Sequence, residues 1–385
     1  MKSGIPILYV DIEGGWGGSS RSLYYLIKYL DKDKYGPVLV YGKEGPNKER
    51  YAEMDVPAYL FSPIPRITAM RHGNPKGILV FLLTLVHLPR FLIFVKKLIN
   101  NYDIKIVHLN HESLFFAGIF FKVFFRCRVV YHVRTMLPRN IFAKIQVCIA
   151  GKTADHLVFI TENEQGLWRE ICPGTAKLPQ SVIYNFAEAG TAAGKTDALA
   201  GYKDKFKALV LSSISRPRGT DRLIDVARAL KKIGCDNAIF VVCGKSDPGN
   251  RYAAFIRQSI KDKGLENYFC FMGYQNSPET VISESDILVH ISRAIENPWG
   301  RDVIEAMASG KPVVTVGNYD KYIRDGVNGY LLPEFDAEKF AEKIAYLSAH
   351  PEVAQKMGRD NKEKAESLFN GRNNIHKITE IYDKF

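Results

Sequence analysis

Ser292-Arg-Ala-Ile-Glu-Asn-Pro-Trp-Gly-Arg-Asp-Val-Ile-Glu-Ala-Met-Ala-Ser-Gly310-Lys-Pro-Val-Val314 follows a mostly apolar run, Ile287 to Ile291, that reads as a buried strand. A Pro-Trp-Gly turn comes next, then a short helix closed by Gly310. A further apolar run, Pro312 to Val316, reads as the next strand. Such a strand, loop, helix, strand unit belongs to an α/β protein with a parallel sheet. Its polar residues gather at the helix N-terminus, where backbone N–H groups lack intrahelical partners and can hold oxygens of a phosphate or a sugar. Glu305 sits about one turn inside, where a carboxylate can accept hydrogen bonds from a diol. First turns of ordinary βαβ connections also carry Glu and Asp, so spacing alone leaves both readings open.

Outward from this block the same alternation fills the chain. Ile7–Val10, Pro37–Tyr41, Ala58–Phe61, Ile106–Leu109, Val129–His132, Leu157–Ile160 and Val182–Tyr184 read as strands of a first half, with helices at Ser20–Leu30 and over 76–100. A Gly/Ala/Lys stretch without periodicity, Ala187 to Lys203, reads as a linker. The second half restarts with strands at Ala208–Leu211, Ala238–Val242, Tyr268–Met272, Ile287–Ile291, Val313–Val316 and Gly329–Leu332, and helices run from Ala337 to Phe385. The expectation is an α/β chain with two Rossmann-like, doubly wound parallel-sheet domains facing a cleft, with ligands at the strand C-terminal ends. The boundaries expected are 1–186, a linker at 187–206, 207–365, and a C-terminal helix at 366–385 packing back on the first domain.

A chain of 385 residues suits two domains, and 46% hydrophobic with 24% charged residues gives a soluble globular composition with a large core. Met1 runs into a first strand with no secretory signal, and the six cysteines show no C-x-x-C spacing. Reduced thiols, no structural zinc and a cytoplasmic location are expected. The net charge of +12 is uneven: between residues 64 and 140 twelve Lys and Arg stand against Asp103 and Glu112, a net +10. The same segment holds the apolar runs Ile78–Lys97 and Leu114–Arg128. A membrane span needs roughly 20 uninterrupted apolar residues, and His87, Pro89 and Arg90 break the first run. Core helices explain the apolar faces but not the basic bias. Core plus an interfacial surface facing anionic lipid explains both. Basic and aromatic residues also interleave in nucleic-acid binders, but no nucleic-acid motif accompanies them and none is expected as a partner.

The first βα turn, Asp11-Ile-Glu-Gly-Gly-Trp-Gly-Gly-Ser-Ser-Arg21, is neither a dinucleotide fingerprint nor a P-loop. Its glycines, Gly17 and Gly18 among them, let backbone amides approach an anion closely. Ser213-Ile-Ser-Arg216-Pro-Arg218-Gly219 follows the first strand of the second half, and two arginines before a helix suit a diphosphate. His108-Leu-Asn110-His111-Glu112 and His132-Val-Arg134 close two neighbouring strands of the first half. A His there can donate to sugar hydroxyls or assist proton movement. His108 can face the core, leaving Asn110, His111 and His132 as the candidates. Asp31-Lys-Asp33 reads as a solvated turn, and no metal cluster is expected.

In order along the chain, the Gly17-Gly18-Ser-Ser-Arg21 turn, Val182-Ile-Tyr-Asn185, Arg218-Gly219, Gly244, Gly273, the Pro298 to Val314 block and Asp325-Gly-Val-Asn-Gly329-Tyr-Leu-Leu-Pro resemble the retaining glycosyltransferases of family 4 (glycosyl transferases group 1), which have the GT-B fold. The resemblance covers nearly the whole chain and is strongest from about 207 to 335. It implies sugar transfer from a nucleotide-sugar co-substrate with no cofactor or metal. It implies that Glu305 holds the donor ribose and that Pro298, Trp299, Gly300 and Arg301 bind sugar or phosphates. Arg218 takes the place of a phosphate-binding Lys, with Arg216 as the further basic residue. Gly17, Gly18 and Gly244 line the donor. The family's first Glu, seven residues before the second, falls on Asn297, with Glu296 one place early; either is a candidate beside His111 and His132 for the catalytic set. Asn110 and Arg134 are candidates for acceptor binding.

The function expected is a retaining, metal-independent glycosyltransferase on the inner face of the cell membrane, extending a lipid-linked or oligosaccharide acceptor in polysaccharide or lipopolysaccharide synthesis. A nucleotide-sugar epimerase of the same fold, or a non-catalytic membrane- or nucleic-acid-binding protein, is the alternative.

Overall fold

The structure, a computed structural model, describes residues 4–15, 17–67, 82, 85–188, 197–245, 249–275, 277–293 and 300–385. The chain divides into two compact units, Met1–Phe186 with Gly371–Phe385, and Ala187–Asn370.

The first unit carries β1 (Ile5–Asp11), β2 (Tyr35–Tyr41), β3 (Ala58–Leu60), β4 (Ile106–Leu109), β5 (Arg128–Val133), β6 (His156–Phe159) and β7 (Gln180–Val182). All pair in parallel, in the order β3-β2-β1-β4-β5-β6-β7. The helices between them are α1 (Gly18–Tyr29), α2 (Asn47–Ala52), α3 (Leu88–Tyr102), α4 (Phe115–Val123), α5 (Ile141–Thr153) and α6 (Glu162–Ile171). Helices cover both faces, so the strands are apolar almost throughout. Leu8, Val10, Val107, Leu109, Val129 and Tyr131 pack under α3 to α6. Ile7, Tyr9, Ile106 and Val130 pack on the other face with Leu23 and Leu26 of α1.

The second unit carries β8 (Phe206–Leu211), β9 (Ala238–Cys243), β10 (Phe269–Gly273), β11 (Ile287–His290), β12 (Val313–Val316) and β13 (Gly329–Leu332), parallel in the order β10-β9-β8-β11-β12-β13. Its helices are α7 (Arg222–Lys232), α8 (Arg251–Asp262), α9 (Pro278–Glu284), α10 (Arg301–Ala308), α11 (Ala337–Ala349) and α12 (Pro351–Phe369). The strand order reverses at β1/β4 in the first unit and at β8/β11 in the second. These are the positions at which open α/β sheets bind ligands.

Most expected strand and helix ends shift by one or two residues. The strand expected at 182–184 lies at Gln180–Val182, where it pairs with β6. Of the helix expected over 76–100, residues 76–81, 83 and 84 lie outside the described residues; α3, Leu88–Tyr102, is ended by Asp103 in the left-handed region at φ 51°. In place of one helix from 366, α12 runs to Phe369 and a new helix, α13 (Gly371–Tyr382), starts after Asn370 and belongs to the first unit. Packing explains its first residue: a Cβ at Gly371 would lie 2.2 Å from the Tyr29 ring. Ile375, Ile378, Ile381 and Tyr382 of α13 then close the β1 face opposite α3 to α6. No described helix is long and apolar enough to cross a membrane.

Candidate active site

In the first unit, strand alternation puts Tyr9 and Asp11, His108 and Asn110, and His132 and Arg134 side by side on the face that carries α1 and α13. The pairings Tyr9↔His108 and Val107↔Val129 set that register. Tyr382 of α13 reaches into this polar strip. Its hydroxyl lies 2.6 Å from His108 Nδ1 and 3.1 Å from the Tyr9 hydroxyl, and His108 Nε2 lies 3.1 Å from His132 Nδ1. Burial, reinforced by the nearby Arg134 charge, pushes His108 down to about 3 and holds His132 well below the ordinary histidine range. Both rings are therefore neutral. Two proton orders satisfy the chain: Tyr382 donates to His108 Nδ1 and His108 Nε2–H to His132 Nδ1, or His132 Nδ1–H donates to His108 Nε2 and His108 Nδ1–H to the Tyr382 hydroxyl. His132 Nε2 then faces no partner among the described residues. His132 thus lies beneath the site, in the sheet face, and not on a solvent-facing wall.

Asn110 and Arg134 come together directly. Arg134 Nε and Nη2 donate to Asn110 Oδ1 at 3.1 and 2.7 Å, and Nη1 donates to Asn185 Oδ1 at 2.6 Å. Asn110 Nδ2 donates to Asp11 Oδ1 and to the Ser19 carbonyl in the first turn of α1. Burial lowers Arg134 to about 9 against the opposing charges of Asp11 and Glu112. Burial also raises Asp11, opposed by the hydrogen bond from Asn110 and the nearby Arg134 charge. This network fixes the mouth of the β1/β4 switch point, and Asn110 itself is fully buried within it.

His111 is placed differently. Its Nδ1 accepts from the Ser113 N–H, which leaves the proton on Nε2, and it lines a cavity of about 330 Å³ beyond the ends of β1, β4 and β5. The cavity wall also includes Glu13, Arg66, Glu112, Thr135 and Gln146. Glu112 is buried; Oε2 accepts from the Arg134 N–H at 3.0 Å, and Oε1 accepts from the Thr135 hydroxyl. Gln146 of α5 donates to the Glu112 carbonyl. The Ser113 hydroxyl, on the same wall, is buried with no partner among the described residues. Sequence reasoning did not single out Arg66, Glu112, Ser113, Thr135 or Gln146. Glu112 follows His111 at a strand end and could have been found by that position; Gln146 has no local signal.

The glycines of the first turn separate into two kinds. A Cβ at Gly14 would fall 1.7 Å from the Lys43 carbonyl oxygen, so packing demands glycine there. At Gly17 and Gly18 an added Cβ would meet nothing. Gly17 caps α1 at an ordinary φ of −74°. Nothing among the described residues requires glycine at either position.

In the second unit the loops after β8 and β11 are bound to each other. The Arg293 backbone N–H donates to the Pro217 carbonyl, its Nη1 donates to the Arg216 carbonyl at 2.7 Å, and its guanidinium grips both oxygens of Asp221 at 2.7 and 2.6 Å. Arg222 Nη1 donates to the carbonyls of Ile291 and Ser292. Gly219, at φ 76°, admits the Ile291 carbonyl, which would lie 2.2 Å from a Cβ. Arg216 and Arg218 form the exposed turn of this assembly. Gly244 answers to packing, since a Cβ there would meet the Ser212 carbonyl at 1.8 Å.

Gly300 caps α10, and the first turns of that helix carry two buried pairs. Arg301 Nε donates to Glu305 Oε1 at 2.8 Å, and His290 Nδ1 of β11 lies 2.7 Å from Asp302 Oδ2. Burial raises Asp302, but His290 and the charge of Arg218 outweigh it and hold the carboxyl below its usual range. His290 and Asp302 were not singled out from sequence, although His290 closes a strand just as His108 does. Glu296, Asn297, Pro298 and Trp299 lie outside the described residues. Among the described residues no group of three or more His, Cys, Asp and Glu could hold a metal ion.

Residues 16–189 match the family described as Glycosyltransferase Family 4, and residues 195–364 match the family described as Glycosyl transferases group 1. Over 187 residues, 48% of this chain, it is 26% identical to EpsD of Bacillus subtilis. Over 182 residues, 45% of this chain, it is 28% identical to the poly(ribitol-phosphate) alpha-N-acetylglucosaminyltransferase of Staphylococcus aureus. These matches span 46% and 35% of the two relatives, so less than half of each is covered. The fold matches that of Anabaena HepE, solved in complex with UDP and glucose, at a TM-score of 0.80 and 22% identity over 98% of this chain and 99% of that one. One family match covers β2 to β7 of the first unit and the other covers all six strands of the second, and the chain belongs to the group 1 and family 4 glycosyltransferases of GT-B fold.

Proposed function

We propose that the protein is a retaining, metal-independent glycosyltransferase that moves a sugar from a nucleoside-diphosphate donor to a lipid-linked glycan on the inner face of the cell membrane. One observation carries the reading: a buried carboxylate, Glu305, held by Arg301 one turn into α10, beside an exposed Arg216–Arg218 turn stitched to the same loop. Glu305 accepts the donor ribose hydroxyls. Arg216, Arg218 and the α10 N-terminus take the diphosphate, supplying the charge that a metal would otherwise supply. The 330 Å³ cavity with His111, Arg66 and Glu112 receives the acceptor.

The acceptor hydroxyl attacks the anomeric carbon on the face the leaving diphosphate vacates, and a leaving phosphate oxygen takes its proton. Stabilising the negative charge on that diphosphate is the main catalytic effect. HepE, solved with UDP and glucose, and the poly(ribitol-phosphate) alpha-N-acetylglucosaminyltransferase of Staphylococcus aureus make UDP-sugars and anionic polymers the first candidates.

The surface of α3 to α5 favours a membrane site. These helices bury Phe91, Val95, Phe121 and Val147 inward and expose Ile93, Val123, Phe124, Ile141 and Ile145 outward. Arg90, Lys96, Lys97, Arg126 and Lys144 are exposed among them. Such a mix of apolar and basic side chains suits an anionic lipid surface. The test is to incubate the protein with α-linked UDP-sugars and lipid-linked acceptors and to read the product's anomeric configuration by NMR. An α-linked product is expected; a β-linked product would remove the retaining mechanism.

A further inference from the structure

Cys148 and Cys172 stand 24 positions apart with no motif joining them, yet the fold brings Sγ to within 2.7 Å of Sγ. A disulfide bond is about 2.05 Å long, so the two sulfurs need only a small movement to bond. Cys148 lies on α5 and Cys172 directly follows α6, both half-buried, so a small reagent can reach them. The hydrogen bond to Cys172 and burial raise the Cys148 thiol, and Lys144 and Lys152, one turn to either side on α5, oppose that rise with positive charge where a thiolate would form. The other four cysteines have no thiol at hydrogen-bonding distance, and Cys127 and Cys243 are buried.

We propose that Cys148 and Cys172 are a modification site, forming a reversible intrachain disulfide by exchange with a low-molecular-weight disulfide. The Cys148 thiolate attacks one sulfur of the small disulfide, making a mixed disulfide and releasing one small thiolate. The Cys172 thiolate then attacks the Cys148 sulfur and expels the second. Two protein thiols are oxidised, the reagent is reduced to two thiols, and these take up the two protons. The bond closes the chain between residues 148 and 172 and ties α5, whose Ala143 and Gln146 wall the cavity, to the end of α6. It fixes that wall without touching the residues placed in the donor site.

The experiment treats the reduced full-length chain with glutathione disulfide, alkylates it under denaturing conditions and maps the peptides by mass spectrometry. The expected product is one intrachain cross-link between the Cys148 and Cys172 peptides, with two of the six cysteines lost to alkylation and a melting temperature raised by several degrees. Cys148→Ser and Cys172→Ser should each carry instead one persistent glutathione adduct at the remaining partner. Separate glutathione adducts on both cysteines of the unmutated chain, a cross-link through any other cysteine, or no reaction at Cys148 would each overturn the proposal.

Discussion

His132 and His108 form a bonded pair of neutral rings in the first unit, roofed by the Tyr382 hydroxyl. Both have a folded-state pKa below the unfolded value, so the stability they contribute is fully present above about pH 6.5 and is lost as pH falls. The unfolded chain takes up protons that the folded chain refuses, and each ring's slope approaches about 1.4 kcal/mol per pH unit. Asn at position 132 can mimic the Nδ1 contact without titrating. Denaturant unfolding between pH 7.5 and 5 should therefore show a shallower acid loss in His132→Asn than in the unmutated chain, and equal slopes would refute neutral burial. The sequence placed His132 at a strand end beside Arg134, and the structure keeps that neighbourhood. Its depth was not legible, because the face it occupies is closed by a helix that begins 239 positions later, at Gly371.

At the scale of elements, strand and helix alternation was legible because both sheets are buried on two faces and their strands are continuous apolar runs. Val313–Val316 and Gly329–Leu332 have the bounds the sequence suggests. Where tertiary contact sets the boundary, local pattern gives less. The break between α12 and α13 depends on Gly371 meeting Tyr29, a contact no local pattern contains. Gly118 of α4 is the same kind of position: a Cβ there would fall 1.7 Å from the Tyr131 hydroxyl. That hydroxyl cannot swing away without leaving Thr153 Oγ1 and the Phe115 carbonyl. Gly118→Ala should cost about 2 kcal/mol by overpacking, read as a lower melting temperature. Adding Tyr131→Phe removes the clashing oxygen, so the double variant should be more stable than the sum of the two single losses. Strict additivity would show that α4 and β5 are not in this contact.

For the whole molecule, the basic excess of the segment from 64 to 140 falls partly on the outer side of α3 and α4, and the exposed aliphatic side chains extend onto α5. Ile93→Asp combined with Phe124→Asp adds two negative charges to that surface and removes two apolar anchors. In sedimentation with vesicles containing phosphatidylglycerol, the variant should bind several-fold less than the unmutated chain, and added salt should weaken both. Equal binding would move membrane contact off this face. The donor half of the proposal rests on fewer, better-buried groups, with Glu305 foremost. Binding of a nucleotide sugar raises apparent stability by mass action, so a thermal-shift series of UDP-, GDP-, ADP- and CDP-sugars on the unmutated chain and Glu305→Ala tests it directly. One nucleotide class should raise the melting temperature of the unmutated chain by several degrees and leave Glu305→Ala nearly unmoved. No shift with any donor, or equal shifts in both proteins, would contradict the assignment of Glu305 to the donor.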